Sequence, residues 1–422
     1  MTGTVAKKGT RWYVILDHGQ QPFRACPTSR CAGTWTAQLG ELTCSKCDAQ
    51  LEEPVTRRRQ DWQGSWVRKA DAKDALVELL GQHRRGEAVD PSRTTLAEFV
   101  EREWLPALQL RDSTRESYAR NLRLHVLPHL GAVPLQQLEP GSMNRLYSTL
   151  LASGRRGHRA GEGLSPRSVR YVHTILSRVL SDAVRWGRLV RNPAAAAEPP
   201  SAKVAAEASP EMLTWTGQQL GRFLAATADD RYGPAFHFLA TTGMRRGELL
   251  GLRWADVDLG AGRVSIRRAR VAVKHTASYG ATKTGRSRVI ELDRGTVDVL
   301  RRQRIRQSED RLALGGHYAD EGLVFCHPDG RPYHPERFSR EFDRKQERFN
   351  REHPKGTLPR IRLHDLRHTW ATLALGAGEH PKVVADRLGH TTTNVTLNIY
   401  SHVVEGMQSA AAENVAAMIF GS

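Results

Sequence analysis

Thr242-Gly243-Met244-Arg245-Arg246-Gly247-Glu248-Leu249-Leu250-Gly251-Leu252-Arg253-Trp254 is the stretch on which the reading of this chain turns. Gly243 supplies a turn and the residues after it have the pattern of a short helix, so Arg245 stands close to a helix start. Helix N-termini leave backbone N–H groups unpaired and carry partial positive charge. A guanidinium placed there adds to a ready-made phosphate site. A single arginine carries little weight, because most arginines are solvated surface residues.

Working outward, three more groups join it. His364 and Arg367, in His364-Asp365-Leu366-Arg367-His368, lie one helical turn apart and project from one face. His390 follows in Leu388-Gly389-His390, and Tyr400 comes ten residues later in Asn398-Ile399-Tyr400-Ser401-His402. Cutting a phosphodiester without a metal needs a nucleophile, cations for the phosphoryl oxygens and a proton for the departing oxygen. A tyrosine hydroxyl has a pKa near 10, so only about one in a thousand is ionised at neutral pH and it must be activated. Two guanidiniums supply rigid forks for the charge that grows on phosphorus.

In this order and spacing the motifs resemble the catalytic domain of the tyrosine recombinases, the phage integrase family, over about residues 210–405. The resemblance implies that Arg245 and Arg367 clamp the scissile phosphate with His364 and His390 assisting. It implies that Tyr400 attacks to form a 3′-phosphotyrosyl link, which keeps the energy of the broken bond, so that resealing needs neither ATP nor magnesium. In the family a lysine on a β-hairpin protonates the leaving 5′-oxygen. Lys283, in Ala281-Thr282-Lys283-Thr284-Gly285-Arg286-Ser287-Arg288, matches that place, and Lys274 is its nearest competitor. His368, Asp365 and Glu248 read as buttresses of these residues. The implied partners are double-stranded attachment sites and a homotetramer on DNA. An apolar C-terminal tail (Val404, Met407, Ala411, Val415, Met418, Ile419) would dock it on a neighbouring subunit. An excisionase or a host DNA-bending protein would be accessory partners.

The segment around Lys283 also imitates a phosphate-binding P-loop, with Arg286 where that motif needs lysine. A P-loop opens a helix, whereas Arg288 to Leu292 alternates as a strand, so nucleotide binding is rejected.

The rest of the chain agrees with a DNA-acting enzyme. Lys and Arg number 63 against 45 acids, a formal net charge of +18, and most of the cations are arginine. That excess favours a polyanionic partner. The N-terminus lacks the apolar core of a signal peptide, and no apolar run is long enough to span a bilayer. The expected location is the bacterial cytoplasm, at the nucleoid.

Four parts are expected: a β-rich module at 1–92, a helical core-binding (SAM-like) domain at 93–198, a linker at 199–210 and an α+β catalytic domain at 211–422. The fold class is therefore multidomain and mainly α, with small β-sheets. In the first part Trp12 to Leu16 and Trp62 to Val67 read as strands and Ala70 to Leu80 as a helix. In the second, four apolar stripes mark helices: Leu96, Phe99, Val100 and Trp104; Tyr118, Leu122 and Val126; Met143, Leu146, Tyr147, Leu150 and Leu151; and Val169 to Ala183 behind the Ser165-Pro166 cap.

Cys26-x4-Cys31 and Cys44-x2-Cys47 form two short-spaced pairs, the pattern of structural zinc in a zinc-ribbon-like module. With Arg57-Arg58-Arg59, Trp62 and Trp66 nearby, this module is expected to bind arm-type DNA sites, as the N-terminal domains of family integrases do. Two other readings compete. A DNA-binding regulator with a vestigial recombinase fold would bind without cutting, and a type IB topoisomerase would cut without site preference.

Overall fold

The computed structural model describes residues 2–28, 31, 35–36, 43–44, 47, 49–84, 89, 91–273, 276–281, 287–390, 392–393, 397 and 416–420. Lys274, Lys283, Tyr400 and the tail from Val404 to Val415 lie outside them. Backbone contacts divide the chain into two compact units, Met1–Ala107 with Leu122–Ser201, and Leu108–Asn121 with Ala202–Ser422. Among the described residues no helix is long and apolar enough to cross a membrane.

The first unit begins with an antiparallel sheet. Strands β1 (Thr2–Lys8) and β2 (Arg11–Ala25) pair from Thr2↔Asp17 to Lys8↔Arg11 around a two-residue turn in which Gly9 takes φ 63°. Strand β4 (Val55–Trp66) runs along the other side of β2, from Trp12↔Trp66 to Phe23↔Val55, with a short β3 (Trp35–Thr36) at the far end of β2. Helix α1 (Lys69–Arg84) follows and buries Ala72. The sequence pattern shows only the middle of this sheet. β1, Thr-Gly-Thr-Val-Ala-Lys-Lys, has few apolar residues to announce it, and its partner strand supplies the order.

In the helical part Thr95 closes a capping box with Glu98 at the start of the first helix. Leu96, Phe99, Val100 and Trp104 are wholly buried, and the Trp104 indole N–H donates to the buried Asp182 carboxylate at 2.8 Å. Helix α2 (Pro140–Ser153) buries Met143, Leu146, Tyr147 and Leu150 but leaves Leu151 38% exposed. At about 100° per residue Leu151 falls off the edge of that stripe. Helix α3 (Pro166–Arg185) starts on the Ser165 cap, with proline at its first position and Val169, Val172, Leu176 and Val179 inside. A short helix, Ala202–Glu207, occupies the alanine-rich segment that follows.

The second unit has an aromatic core: Trp215, Phe223, Phe236, Phe238, Phe338 and Phe342. It is built from helices α4 (Gly217–Ala226), α5 (Gly233–Thr242), α6 (Arg246–Leu250), α7 (Arg294–Leu314), α8 (Pro335–Glu352), α9 (Asp365–Gly376) and α10 (Pro381–Leu388). Strand β6 (Arg263–Ile266) sits between β5 (Val257–Asp258) and β9 (Arg288–Glu291), all antiparallel. β9 is the strand whose expected alternation excluded a P-loop. A separate hairpin, β7 (Arg268–Val273) with β8 (Thr276–Ala281), leads toward the segment holding Lys283.

Candidate active site

Arg245 is the N-cap residue of α6. Its backbone N–H donates to Glu248 Oε2 and its Nη1 to Glu248 Oε1, both at 3.0 Å, while Nη2 donates to the carbonyl of Gly389 at 3.1 Å. Arg367, in the first turn of α9 and only 4% exposed, donates through Nη1 to the Gly243 carbonyl and through Nη2 to the Leu388 carbonyl, both at 2.8 Å. Both guanidiniums thus brace the turn that ends α10, and Arg367 also braces the one that ends α5.

Both turns need glycine. Gly243 has φ 65° and Gly389 φ 68°, the left-handed region that side chains with a Cβ avoid. A Cβ on Gly243 would come within 2.8 Å of Leu388 and 2.9 Å of Trp370. The second turn is locked by two backbone bonds, Gly389 N–H to Asp386 O and His390 N–H to Ala385 O, each 3.0 Å. His390 therefore leaves a fixed platform. His364 caps α9 one turn before Arg367, its ring perpendicular to that of His368 at 5.2 Å between centroids. Asp365, also buried, accepts from the Arg362 backbone N–H at 2.8 Å and from its guanidinium at 3.0 and 2.8 Å.

The structure thus gathers Arg245, Arg367 and His390 around one turn and sets His364 at the head of the Arg367 helix. Of the expected buttresses, Glu248 bonds Arg245, whereas Asp365 pairs with Arg362 and His368 sets its ring edge against that of His364. Sequence reading misses Arg288, which forks onto Glu248 with distances of 3.1 and 2.7 Å. A signal is present, since Arg288 and the buried Ile290 share one face of β9 by period two. A cleft of about 650 Å³ opens beside these residues, and Arg111, Arg245, Arg246 and Arg270 are among its walls.

Burial lowers the pKa of His364 to about 4, helped by His368 and Arg367. Burial also lowers His390 to about 4, with Arg367 and Arg245 next in effect. Both imidazoles are neutral at pH 7, so each offers one ring nitrogen as a hydrogen-bond donor and the other as an acceptor, and taking up a proton would make it a cation. Burial would raise Glu248, but its bonds to Arg288 and Arg245 outweigh that and hold it below the ordinary carboxylate range. The site therefore keeps a buried anion beneath two cations.

A pH dependence follows. Histidines whose folded pKa is depressed give stability that is complete above the unfolded value, near 6.5, and is lost as pH falls toward the folded value of about 4. The unfolding temperature should drop as pH goes from 6.5 to 4. Imidazole nitrogen shifts should report neutral His364 and His390 at pH 6 in DNA-free protein. Protonated rings at that pH would contradict the burial argument.

At the N-terminus Cys26, Cys31, Cys44 and Cys47 bring their sulfurs within 4.8 Å of one another, and the first three are buried. They cap the far end of the β2–β4 ribbon, where the Cys44 N–H donates to the Ala49 carbonyl at 2.8 Å and the Glu52 N–H to that of Ala25 at 2.9 Å. The fifth cysteine, Cys326, is buried in the second unit beside Gln307 and Tyr318.

Comparison with known proteins agrees with this geometry. Residues 215–406 match the model of the phage integrase family, and residues 95–151 match that of the phage integrase N-terminal SAM-like domain. A XerC-like tyrosine recombinase of Caldanaerobacter subterraneus is 24% identical over 85% of this chain and 91% of its own length. The integrase of Mycobacterium phage L5 is 27% identical over 78% of this chain and 81% of its own. Among solved structures, the Tn1549 transposon integrase in complex with transposon right end DNA superposes with a TM-score of 0.63 at 20% identity, covering 76% of this chain and all of that one. A lambda integrase tetramer bound to a Holliday junction gives 0.54 at 16% identity, covering 81% and 89%. The chain belongs to the phage integrase family, the tyrosine recombinases.

Proposed function

We propose that this site-specific recombinase cuts and rejoins DNA through Tyr400, with Arg245 and Arg367 as the phosphate clamp. The observation that carries the proposal is the shared brace: both guanidiniums are anchored on the turn that presents His390. The Tyr400 oxygen attacks phosphorus, a 3′-phosphotyrosyl bond forms, the 5′ O–P bond breaks and Lys283 protonates the departing oxygen. Neutral His364 and His390 hold and pass protons, one of them taking that of Tyr400. Four protomers would act on two duplexes, joined through the C-terminal tail, of which residues 416–420 form a helical turn with Met418 and Ile419 exposed. An excisionase or a bending protein would set the choice between integration and excision.

The test is a pool of nicked duplexes with a randomised core, incubated with the protein and then denatured. Covalent adducts sharing a core sequence support the proposal. Binding without adducts would indicate the vestigial regulator, and adducts without sequence preference would indicate a topoisomerase.

We also infer that the zinc-ribbon-like cap holds one zinc ion on Cys26, Cys31, Cys44 and Cys47. Four thiols in this space suit the ion, since four thiolates cannot ionise side by side without a cation. Bound there, zinc would tie the ends of β2 and β4 together, so that the exposed Trp62 and the run Arg57-Arg58-Arg59 on β4 are held for arm-type DNA. The purified protein should contain about one zinc per chain with Zn–S bonds roughly 2.3 Å long. Cys44→Ser should make residues 1–92 protease-sensitive, leave cleavage of short core-site duplexes intact and impair integration on DNA with distal sites. Metal-free protein with a folded N-terminus and four reactive thiols would overturn this.

A further inference from the structure

Glu248 carries more charge partners than a helix cap needs. Its side chain is 1% exposed, and it accepts four hydrogen bonds: two from Arg288, one from the Arg245 guanidinium and one from the Arg245 backbone. Four bonds saturate a carboxylate. Two cations on one buried anion leave a surplus of one positive charge beside the cleft.

Arg288 itself is 12% exposed in its side chain, against 22% for Arg245. Its third donor, Nε, reaches the Arg387 carbonyl at 2.9 Å, just before the Gly389 turn. Its guanidinium also fills the space under that turn, since a Cβ on Gly389 would meet it at 3.0–3.2 Å. One side chain therefore touches the carboxylate that holds Arg245 and the turn that presents His390. Three of its five donors are spent on protein acceptors, which fixes the guanidinium between Glu248 and the Gly389 turn. It also opens β9, five residues after Lys283 in the chain.

We infer that Arg288 is a positioning residue: through Glu248 and the Arg387–Gly389 turn it keeps Arg245 and His390 in mutual register for attack on phosphate. This rests on Arg245 being a phosphate ligand. Without Arg288 the buried carboxylate has one cation left and draws Arg245 toward itself. Lysine restores the charge but cannot make the two-pronged contact.

The test compares Arg288→Met, Arg288→Lys and Arg288→Met with Glu248→Gln, using a nicked core-site duplex. Single-turnover formation of the covalent adduct should slow about 10- to 100-fold in Arg288→Met, the size of effect that a misplaced catalytic group produces. Affinity for the duplex should stay within about threefold, and its salt slope should be unchanged, because no phosphate contact is lost. Arg288→Lys should fall in between. The double variant should cleave no more slowly than Arg288→Met, since the stranded carboxylate is gone. Arg245→Ala is the control: if it still forms adduct at the normal rate, the clamp assignment fails and this inference with it. Arg245→Ala inactive with Arg288→Met at the wild-type rate overturns the inference alone. A reduced salt slope in Arg288→Met also overturns it, because the residue then contacts DNA directly. If Arg288→Met does not fold, Arg288→Lys cleaving at the wild-type rate is sufficient to reject it.

Discussion

Tyr400→Phe should abolish covalent attachment to DNA, lowering adduct formation by at least about a thousand-fold. Affinity for the same duplex should change by less than about threefold, which is roughly 0.6 kcal/mol. The substitution removes one oxygen and keeps the ring, so only the group that makes the new P–O bond is lost. A nicked suicide substrate traps the wild-type protein because the cut fragment diffuses away and resealing is blocked. Digestion of that adduct should place the DNA on the peptide containing Tyr400, and the phosphate should be at the 3′ end. Equal trapping by the Phe variant, or a 5′ linkage, would remove Tyr400 from the mechanism. Ten residues earlier in the chain, the platform at His390 is fixed by the Gly389 turn and by the bonds from Arg245 and Arg367. A variant that cannot attack should therefore still have an intact phosphate clamp, and its unfolding temperature should match the wild type.

Lys283→Ala should slow cleavage of ordinary DNA by about 10²- to 10⁴-fold, the usual contribution of a positioned general acid. The leaving 5′-alkoxide is a strong base and needs a proton as the bond breaks. Replacing the bridging 5′-oxygen by sulfur gives a thiolate, whose conjugate acid has a pKa nearer 8.5, and that group departs without help. The defect should then largely disappear. The neutral state of His364 and His390 sharpens this test, because an imidazole with a pKa near 4 holds no acidic proton at pH 7 to compete with that of Lys283. If sulfur rescues a His390 variant and not Lys283→Ala, the acid is the histidine. If it rescues Lys274→Ala instead, the neighbouring lysine holds the role.

Much of this protein is legible in its sequence. Trp104, Leu122, Leu146 and Val179 sit at helical spacing, and burial follows from that spacing because a helix presents one face to its core. Arg245, His364, Arg367 and His390 stand out by order and spacing, since each lies at a turn or a helix start whose glycine or cap is local in sequence. Glu248 is visible as a neighbour of Arg245 three residues on. The cysteines announce their cluster by pairing at short intervals.

What the sequence leaves open is decided by contacts between distant segments. β1 is ordered by β2, and the β7–β8 hairpin by the pairing of its own two halves, where neither strand has a strong alternation of its own. Leu151 reads as core but falls outside, because the angle around α2 and not the residue type decides its neighbours. Arg288 lies 40 residues from Glu248 and 99 from Arg387, so no local pattern joins them. Sequence marked out the candidate groups for the chemistry, because turns, caps and stripes are set by short-range sterics and periodicity. Tertiary structure decided how those groups are held, because a buried ion cluster exists only where strand, helix and turn close over it and exclude water.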